Sequence, residues 1–320
     1  MRFIIRADAY RISGAGHVMR SSVIAEELID RGYEVYFVGN LDEIPWVREY
    51  VSNLGFKGIC KPEEQFLTNQ ITDILILDSY DISITDPFIQ PKNWNKILVL
   101  VDDTTPTYIG DLYIHPGPET SWTKPEPQST SLFLFGLEYL LIRKSLREYK
   151  HAFVKNDDNE TKILITAGGS DPFAFSQNLV KLLSESIFAF HAFVLAPDFQ
   201  LPNQDPRFEL IQLGNEYERL LGAIDFVFTT AGTSSWEYHF LGIPVALASA
   251  VENQNRNYLY QIRKGISWDL GFRDLEGEWQ LKGSLFNRLL PVNDSIKFKA
   301  NRSFEVIDGE GANRILNILI

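Results

Sequence analysis

Cysteine is almost missing from this chain: Cys60 is the only one among 320 residues. A single cysteine can form neither an internal disulfide nor a thiolate metal cluster. The five histidines are scattered and show no spacing typical of metal ligands. We therefore expect no structural or catalytic metal.

Long apolar runs and an excess of positive charge are also missing. No run reaches the roughly 18 apolar residues that a membrane helix needs, and residues 1–6 turn polar too early for a signal peptide. The chain has 30 Lys and Arg against 42 Asp and Glu, a formal net charge of −12. Such a charge repels nucleic acids and anionic lipids. We expect a cytoplasmic, monomeric protein without a membrane anchor or nucleic-acid partner.

Two successive series of strand and helix patterns run along the chain. Continuous apolar runs, typical of strands buried on both faces of a parallel sheet, occur first at residues 3–7, 35–38, 74–77 and 97–101, with an amphipathic helix at 18–30. The second half repeats this with predicted strands at 162–166, 190–195, 208–213, 226–229 and 245–249, and helices at 173–186, 216–222, 233–241 and beyond 294. A chain of this length exceeds one core. The pattern predicts an α/β protein of two doubly wound, Rossmann-like domains facing across a cleft, at 1–150 and 161–320, joined by a polar linker at 151–160.

A glycine-containing loop, Gly14-Ala15-Gly16, separates the first predicted strand from the first helix. Glycines let the backbone approach a ligand and expose its N–H groups. A dinucleotide fingerprint would need a third glycine where Met19 stands and an acidic residue where Asn40 stands. A Walker-type loop would need a following Gly-Lys-Ser/Thr. The loop therefore argues against a nicotinamide or flavin cofactor and against a Walker-type site, and we expect no cofactor.

His17 directly follows this loop, in the first turn of the predicted helix. The positive end of the helix dipole disfavours the imidazolium form there, so the ring is suited to accept a proton. This favours a general base. A histidine that only caps or packs the helix start fits the same position, and position alone does not separate the two interpretations.

The richest segment of the second half is Gly232-Thr233-Ser234-Ser235, between a predicted strand and a helix. Its N–H and hydroxyl groups predict a diphosphate cradle, although a helix cap uses the same residue types. Glu237, one turn further, could accept hydrogen bonds from ribose hydroxyls or lie exposed on the surface.

Two further loops follow strands in the same half. Gly169 and Ser170 belong to a Gly-Gly-Ser-Asp-Pro turn after one strand, and the amides of Asn253 and Gln254 follow another. Because carboxyl ends of parallel strands share one edge of the sheet, these groups could contact the nucleotide or the sugar, or merely cap helices.

Several motifs, in order along almost the whole chain, resemble PseG-type nucleotide-sugar hydrolases of the pseudaminic acid pathway. They are Arg6-Ala7-Asp8, Gly14-Ala15-Gly16-His17-Val18-Met19-Arg20, Leu77-Asp78-Ser79-Tyr80, Val101-Asp102-Asp103, residues 136–143, Gly168-Gly169-Ser170-Asp171, residues 231–237 and residues 307–312. The resemblance implies a GT-B fold related to the glycosyltransferase MurG, and hydrolysis of UDP-2,4-diacetamido-2,4,6-trideoxy-β-L-altropyranose.

The resemblance also implies residue roles. His17 would be the catalytic base that activates water for inverting attack at the anomeric carbon, and Tyr80 would orient the water or the sugar. From its place at the end of the first strand, we expect Asp8 to bind the sugar or fix His17, and we expect Gly16 on the glycine loop to contact the nucleotide. By similarity to GT-B sites, residues 232–235 would bind the diphosphate and Glu237 the ribose.

One segment departs from the family pattern. Residues 114–119, Ile-His-Pro-Gly-Pro-Glu, replace an Asn-rich strand end, which leaves the exact sugar open. Two alternatives also remain open: a GT-B glycosyltransferase that uses a UDP-sugar donor, and a sugar-nucleotide-binding protein without catalysis. The first domain carries no Lys/Arg-rich amphipathic helix of the kind a membrane-associated transferase would use, which favours the hydrolase.

Overall fold

The fold is described from a computed structural model of the 320-residue chain. It describes residues 1–62, 72–102, 108–118, 131–150, 160–196, 199–201, 205–212, 215–290, 292, 296 and 307–320. The chain divides into two compact units. The first comprises Met1–Arg143 and Gly309–Ile320, and the second comprises Lys144–Asp308.

The first unit is built on a parallel sheet. Its strands are β1 (Arg2–Ala7), β2 (Glu34–Val38), β3 (Gly58–Cys60), β4 (Ile74–Asp78), β5 (Lys96–Leu100), β6 (Leu112–His115) and β7 (Leu132–Phe135), and its first two helices are α1 (Gly16–Asp30) and α2 (Pro45–Asn53). The seven strands lie in the order β3-β2-β1-β4-β5-β6-β7, and all pairs are parallel. The order reverses between β1 and β4, so ligands are expected at the carboxyl ends of these two strands.

Both faces of this sheet are covered, which explains the continuous apolar runs in the sequence. Phe3 and Ile5 of β1 lie in the core cluster that contains Val18 and Leu28 of α1. Ile4 points to the opposite face, in a separate buried cluster with strand residues of β4 and β5. Alternate side chains of one strand therefore enter different cores, and none can be polar without a buried partner. The four strands predicted in this half are confirmed.

The second unit repeats the architecture. Its strands are β8 (Thr161–Thr166), β9 (Phe190–Leu195), β10 (Phe208–Ile211), β11 (Phe226–Thr230), β12 (Val245–Ser249), β13 (Trp268–Arg273) and β14 (Trp279–Leu281), and its helices are α3 (Phe175–Ser184), α4 (Asn215–Leu221), α5 (Ser234–Phe240), α6 (Asn255–Arg263) and α7 (Phe286–Leu289). The sheet order is β10-β9-β8-β11-β12-β13-β14, with β14 antiparallel to β13. Here the order reverses between β8 and β11. Two doubly wound sheets confirm the predicted α/β fold class.

The last helix, α8 (Gly311–Leu319), corrects the predicted domain boundaries. It belongs to the first unit, not to a domain at 161–320, and that unit's first segment ends at Arg143 rather than at residue 150. Ile315, Leu316 and Leu319 are buried in the first unit's core. An ideal Cβ at Gly311 would lie 2.2 Å from the carbonyl oxygen of Leu140, so only glycine allows this approach.

Hydrogen bonds also hold α8 to the first unit. Lys96 Nζ donates to the carbonyl of Leu319 at 2.7 Å, and Arg314 donates to the carbonyl of Glu138 at 2.9 Å. Of the predicted linker at 151–160, residues 151–159 lie outside the described residues. Two helices are predicted from residue 294 onward, separated by residues 309–311; most of the first also lies outside the described residues, and the second corresponds to α8. Among the described residues, none of the helices has the length and apolar character that a bilayer crossing requires.

Candidate functional site

His17 lies at the point where the first sheet reverses its strand order. It is the second residue of α1, which follows β1, and it is buried. Asp78, the last residue of β4, pairs in register with Ala7 at the end of β1. This places the Asp78 carboxylate beside the start of α1, where its Oδ1 lies 2.6 Å from His17 Nδ1.

Asp78 is fully buried and held by Arg20 in a two-pronged contact. Arg20 Nε donates to Oδ2 and Nη2 donates to Oδ1, both at 2.6 Å. Burial alone would raise the pKa of Asp78, but the Arg20 guanidinium and His17 outweigh it and hold this pKa below its ordinary value. An ionised carboxylate only accepts hydrogen bonds, so His17 Nδ1 carries the proton. Nε2 is then the nitrogen with a free lone pair.

Arg20 connects this pair to a second carboxylate. It lies three residues after His17, on the same face of α1, and its Nη1 pairs with Asp102, which follows β5. Burial opposes the charge on Arg20, yet Asp102 and Asp78 together raise its pKa above the ordinary value. Two carboxylates and one guanidinium leave one negative charge beside His17. This charge favours an imidazolium once the ring has taken up a proton.

Tyr80 lies against His17, as the resemblance implies. The two rings meet edge to face, with centroids 4.5 Å apart and planes at 87°. Tyr80 is 42% exposed, and Gly16 at the start of α1 is also exposed. The structure therefore brings together His17, Tyr80 and the glycine loop at an edge of the sheet that solvent can reach.

Asp8 does not have the predicted role of fixing His17. Its carboxylate pairs with Arg6 at 2.7 Å and accepts the backbone N–H of Asn40 at 2.8 Å. Asp78 holds the imidazole instead, although it is 61 residues away from His17 in the sequence. The signal for Asp78 was an acidic residue ending an otherwise apolar strand. Only the strand order shows that this strand is the neighbour of β1.

In the second unit, the loops after β8, β11 and β12 lie close together. An ideal Cβ at Gly168 would lie 3.9 Å from Ser234 Oγ, and one at Gly232 would lie 3.8 Å from Gln254 Nε2. The sheet order places β8, β11 and β12 side by side, which explains the proximity. Three of the predicted ligand segments thus share one edge of this sheet.

Ser235 stabilises the loop after β11, which corrects its predicted contact with a nucleotide. Its buried hydroxyl donates to the carbonyl of Gly232 at 2.7 Å and accepts from Gln261 Nε2 at 3.0 Å. Asn257 donates to the carbonyl of Ala231 at 2.7 Å. Because Asn257 and Gln261 both lie on α6, this helix holds the loop in place. Thr233 and Ser234 remain partly exposed.

The loop after β8 is fixed by Asp171. Its two carboxylate oxygens accept the N–H groups of Phe175 and Ser176, each at 2.8 Å. The first N–H groups of α3 are therefore occupied by an acidic side chain rather than available to an anion. Gly169 and Ser170, which precede Asp171, stay partly exposed and face the same edge as the loop after β11.

The remaining predicted residues lie next to these loops. Glu237 in the first turn of α5 is 7% exposed, so it is not a surface glutamate. Gln254 accepts the backbone N–H of Ala250 at 3.1 Å through Oε1, which directs its Nε2 toward Gly232. Asn253 is exposed on the turn before α6. The described residues contain no group of three or more His, Cys, Asp or Glu side chains placed to hold a metal ion.

A sequence comparison finds no known family profile that matches the chain. It is 28% identical over 291 residues to a Methanocaldococcus jannaschii protein, "Uncharacterized protein MJ1062". This match covers 82% of the chain but 59% of the relative. The chain therefore spans less than two thirds of the length of that relative.

Solved structures match over the whole chain. MurG of Acinetobacter baumannii superposes with a TM-score of 0.65 at 12% identity, covering 99% of each chain. CalG4, the calicheamicin glycosyltransferase, gives 0.61 at 14% identity, covering 100% of this chain and 97% of its own. The chain has the GT-B fold. A Neisseria meningitidis UDP-GlcNAc 2-epimerase bound to UDP-GlcNAc shares the fold, with a TM-score of 0.53 at 13% identity over 100% and 99% of the two chains.

Proposed function

We propose that this GT-B chain hydrolyses a UDP-sugar to UDP and free sugar, with His17 as the base that activates water. The observation that carries the proposal is the His17–Asp78 contact of 2.6 Å, in which an ionised carboxylate fixes the Nδ1–H tautomer and leaves Nε2 to accept a proton. A UDP-GlcNAc 2-epimerase bound to UDP-GlcNAc has the same fold, and this supports a UDP-sugar as the class of ligand.

The second unit is proposed to hold the nucleotide. Gly169, Ser170, Gly232, Thr233 and Ser234 offer backbone N–H groups and hydroxyls from two adjacent loops. Such donors can bind a diphosphate by hydrogen bonds, and they stabilise the negative charge that grows on UDP as it leaves. The support for this assignment is the proximity of the loops and the partial exposure of their residues.

Two further contacts are proposed next to these loops. Glu237, buried one turn into α5, would accept hydrogen bonds from the ribose hydroxyls. Gln254 would donate to the phosphates or the sugar through its Nε2, which faces Gly232. The exposed Asn253 would do the same. A carboxylate for vicinal hydroxyls and amides for phosphate oxygens match the hydrogen-bonding needs of a nucleotide-sugar.

The proposed reaction is a single displacement. His17 Nε2 takes a proton from water, the water oxygen attacks the anomeric carbon, and the bond from that carbon to the UDP oxygen breaks with inversion. A positioned base accelerates such a step by about 10²–10⁴-fold. The negative charge left by Asp78, Asp102 and Arg20 stabilises the imidazolium that forms. Tyr80, with its ring against His17, would orient the water or the sugar.

The resemblance in the sequence supports a specific sugar, a 2,4-diacetamido-2,4,6-trideoxyhexose, and a place in nonulosonic acid biosynthesis. The segment that departs from the family pattern begins at the end of β6. There His115 contacts the carbonyls of Val101 and Pro118, each at 3.1 Å, so its ring is engaged with backbone. We propose that this segment adjusts which sugar is accepted, and a panel of UDP-sugars with and without acetamido groups would test it.

The decisive experiment measures UDP release from UDP-sugars without any acceptor. We expect turnover in the natural protein, and in His17→Asn a loss of about 10²-fold or more with unchanged UDP affinity by calorimetry. His191→Asn is the matched control, because His191 lies on β9 and pairs with Glu209 at 3.0 Å. Turnover of His17→Asn at the natural rate would show that His17 is not the base.

A glycosyltransferase is the second candidate, favoured by the match to a calicheamicin glycosyltransferase. The same assay distinguishes it, since a transferase releases UDP mainly when an acceptor hydroxyl replaces water. Binding of UDP-sugars without turnover, with or without acceptors, would instead identify a non-catalytic binding protein.

A further inference from the structure

Arg20 contributes a fixed positive charge beside His17, and its contacts give it a second role. It is buried in α1 and contacts three ionisable side chains from three different elements: Asp78 on β4, Asp102 after β5, and His17 on its own helix. Two of these side chains are carboxylates, and one of them, Asp78, is the residue that orients His17.

The two partners differ in burial, and this suggests different roles. Asp78 is fully buried and receives two parallel N–H donors, the strongest and most directional arrangement that a guanidinium offers. The Asp102 side chain is 27% exposed and receives Nη1. The first contact fixes the position of a carboxylate, while the second balances the charge of Arg20.

We infer that Arg20 is a positioning residue that holds Asp78 against His17, and that Asp102 is the counter-charge that lets His17 take up a proton beside a fixed guanidinium. Arg20 Nη2 lies 3.2 Å from His17 Nδ1. Alone, so close a positive charge would oppose formation of the imidazolium. With Asp78 and Asp102 both ionised, the net charge facing His17 is negative. This inference rests on the proposed role of His17 as the base.

The groups facing His17 define what a test must vary. They are Arg20 from its own helix, Asp78 from β4 and the Tyr80 ring from the loop after β4. Asp102, after β5, contacts Arg20 and acts on His17 through the charge that it balances. Removing one charge at a time should move the protonation midpoint of His17 in a direction fixed by the sign of that charge. Opposite shifts test the charge balance, and a lower kcat in Arg20→Lys, which keeps the charge, tests the positioning role.

The experiment follows the His17 ring by ¹⁵N NMR during a pH titration of the full chain, which needs no substrate and no turnover. His17→Asn identifies its signals among the five histidines. For Asp102→Asn we expect a lower midpoint, and for Arg20→Gln a higher one, each by about one pH unit. The double variant Arg20→Gln/Asp102→Asn restores the net charge, so its midpoint should return toward the natural value.

Two further variants sharpen the test. Arg20→Lys keeps the charge but not the two-pronged contact with Asp78. The protonation midpoint of His17 should therefore not change, while kcat falls and KM stays the same. Glu27→Gln is the charge control. Glu27 lies ten residues after His17 on α1, about 15 Å away from it, and pairs with Arg31. If Arg20→Gln does not fold, Asp102→Asn still tests the inference through the midpoint of His17, because the Asp102 side chain is partly exposed and its replacement disturbs the fold less.

Unchanged midpoints, or shifts of Asp102→Asn and Arg20→Gln in the same direction, would overturn the inference. That result is distinguishable from failure of the proposed function. An inactive natural protein whose His17 midpoint still moves in opposite directions would refute the hydrolase and leave the charge balance standing.

Discussion

At the scale of single residues, the contact between Asp78 and His17 makes the sharpest prediction. In Asp78→Asn the neutral amide no longer requires a proton on Nδ1, so the Nδ1–H tautomer is no longer enforced and the developing imidazolium loses its nearest negative charge. We expect kcat to fall by about 10²–10⁴-fold, comparable to the loss when the aspartate of a catalytic triad is replaced. Because the pKa of Asp78 is lowered, the carboxylate stays ionised through neutral pH.

Steady-state kinetics with UDP release as the readout checks this prediction, and UDP affinity should not change. Asp8→Asn is the informative comparison, because Asp8 contacts Arg6 and Asn40 rather than His17. Its loss of kcat should be clearly smaller. Equal losses in the two variants would contradict the assignment of Asp78 as the residue that fixes His17.

The same residues show what the sequence can predict about a site. The glycine loop and the family resemblance select His17 and Tyr80 as candidates, because both depend on local pattern, and the structure places the two rings in contact. The partner of His17 was not predictable, since it depends on which strand neighbours β1. Ser235 was assigned to a ligand because adjacent hydroxyls look alike in sequence. Its burial against Gln261 is set by the packing of α6.

At the scale of elements, most strands were predicted close to their observed bounds, and five were missed. The missed strands are β3, β7 and β14 at sheet edges and the inner strands β6 and β13. The predicted strand at 245–249 coincides with β12, whose five residues are all buried, since an almost continuous apolar run is typical of a strand covered on both faces. At the edges of the first sheet, β3 and β7 are only partly buried. Their patterns are weak, because such strands need fewer apolar residues.

The docking of α8 gives a prediction about stability. In Gly311→Ala the new methyl group would overlap the carbonyl of Leu140, since an ideal Cβ lies 2.2 Å from that oxygen. Backbone cannot yield as a flexible side chain can, so we expect a loss of about 1–3 kcal/mol in the free energy of unfolding. Urea denaturation followed by circular dichroism measures it.

Gly283→Ala is the matched control for that experiment. A Cβ there meets only a ring carbon of Phe286, at 4.0 Å, so the change should leave stability within about 0.5 kcal/mol. If Gly311→Ala were as stable as Gly283→Ala, the close approach of α8 to the backbone at Leu140 would be refuted.

At the scale of the whole molecule, the two units differ in the number of chain segments that form them. The second is one continuous segment, Lys144–Asp308, whereas the first needs both ends of the chain. This arrangement was not predictable from the sequence, because the amphipathic pattern of α8 identifies an apolar face but not the core that receives it. A domain boundary drawn once along the chain therefore assigned the last helix to the wrong unit.

Separate expression of the units tests this division. We expect residues 144–308 to fold alone, because their core cluster is complete within the segment. Residues 1–143 lack Ile315, Leu316 and Leu319. At about 1.5–3 kcal/mol for each buried side chain, their loss removes about 5–9 kcal/mol, a large part of the 5–15 kcal/mol that stabilises a typical domain.

Thermal unfolding is compared for three proteins. They are residues 144–308, residues 1–143, and residues 1–143 joined to 309–320 by a short Gly/Ser linker. The approach of Leu140 to Gly311 makes the linker feasible, because it places the two chain ends to be joined near each other. We expect a cooperative transition for the first and third proteins and none for residues 1–143. Equal melting of the first unit with and without α8 would mean that its core is complete at Arg143, and that the last helix adds contacts without being needed for folding.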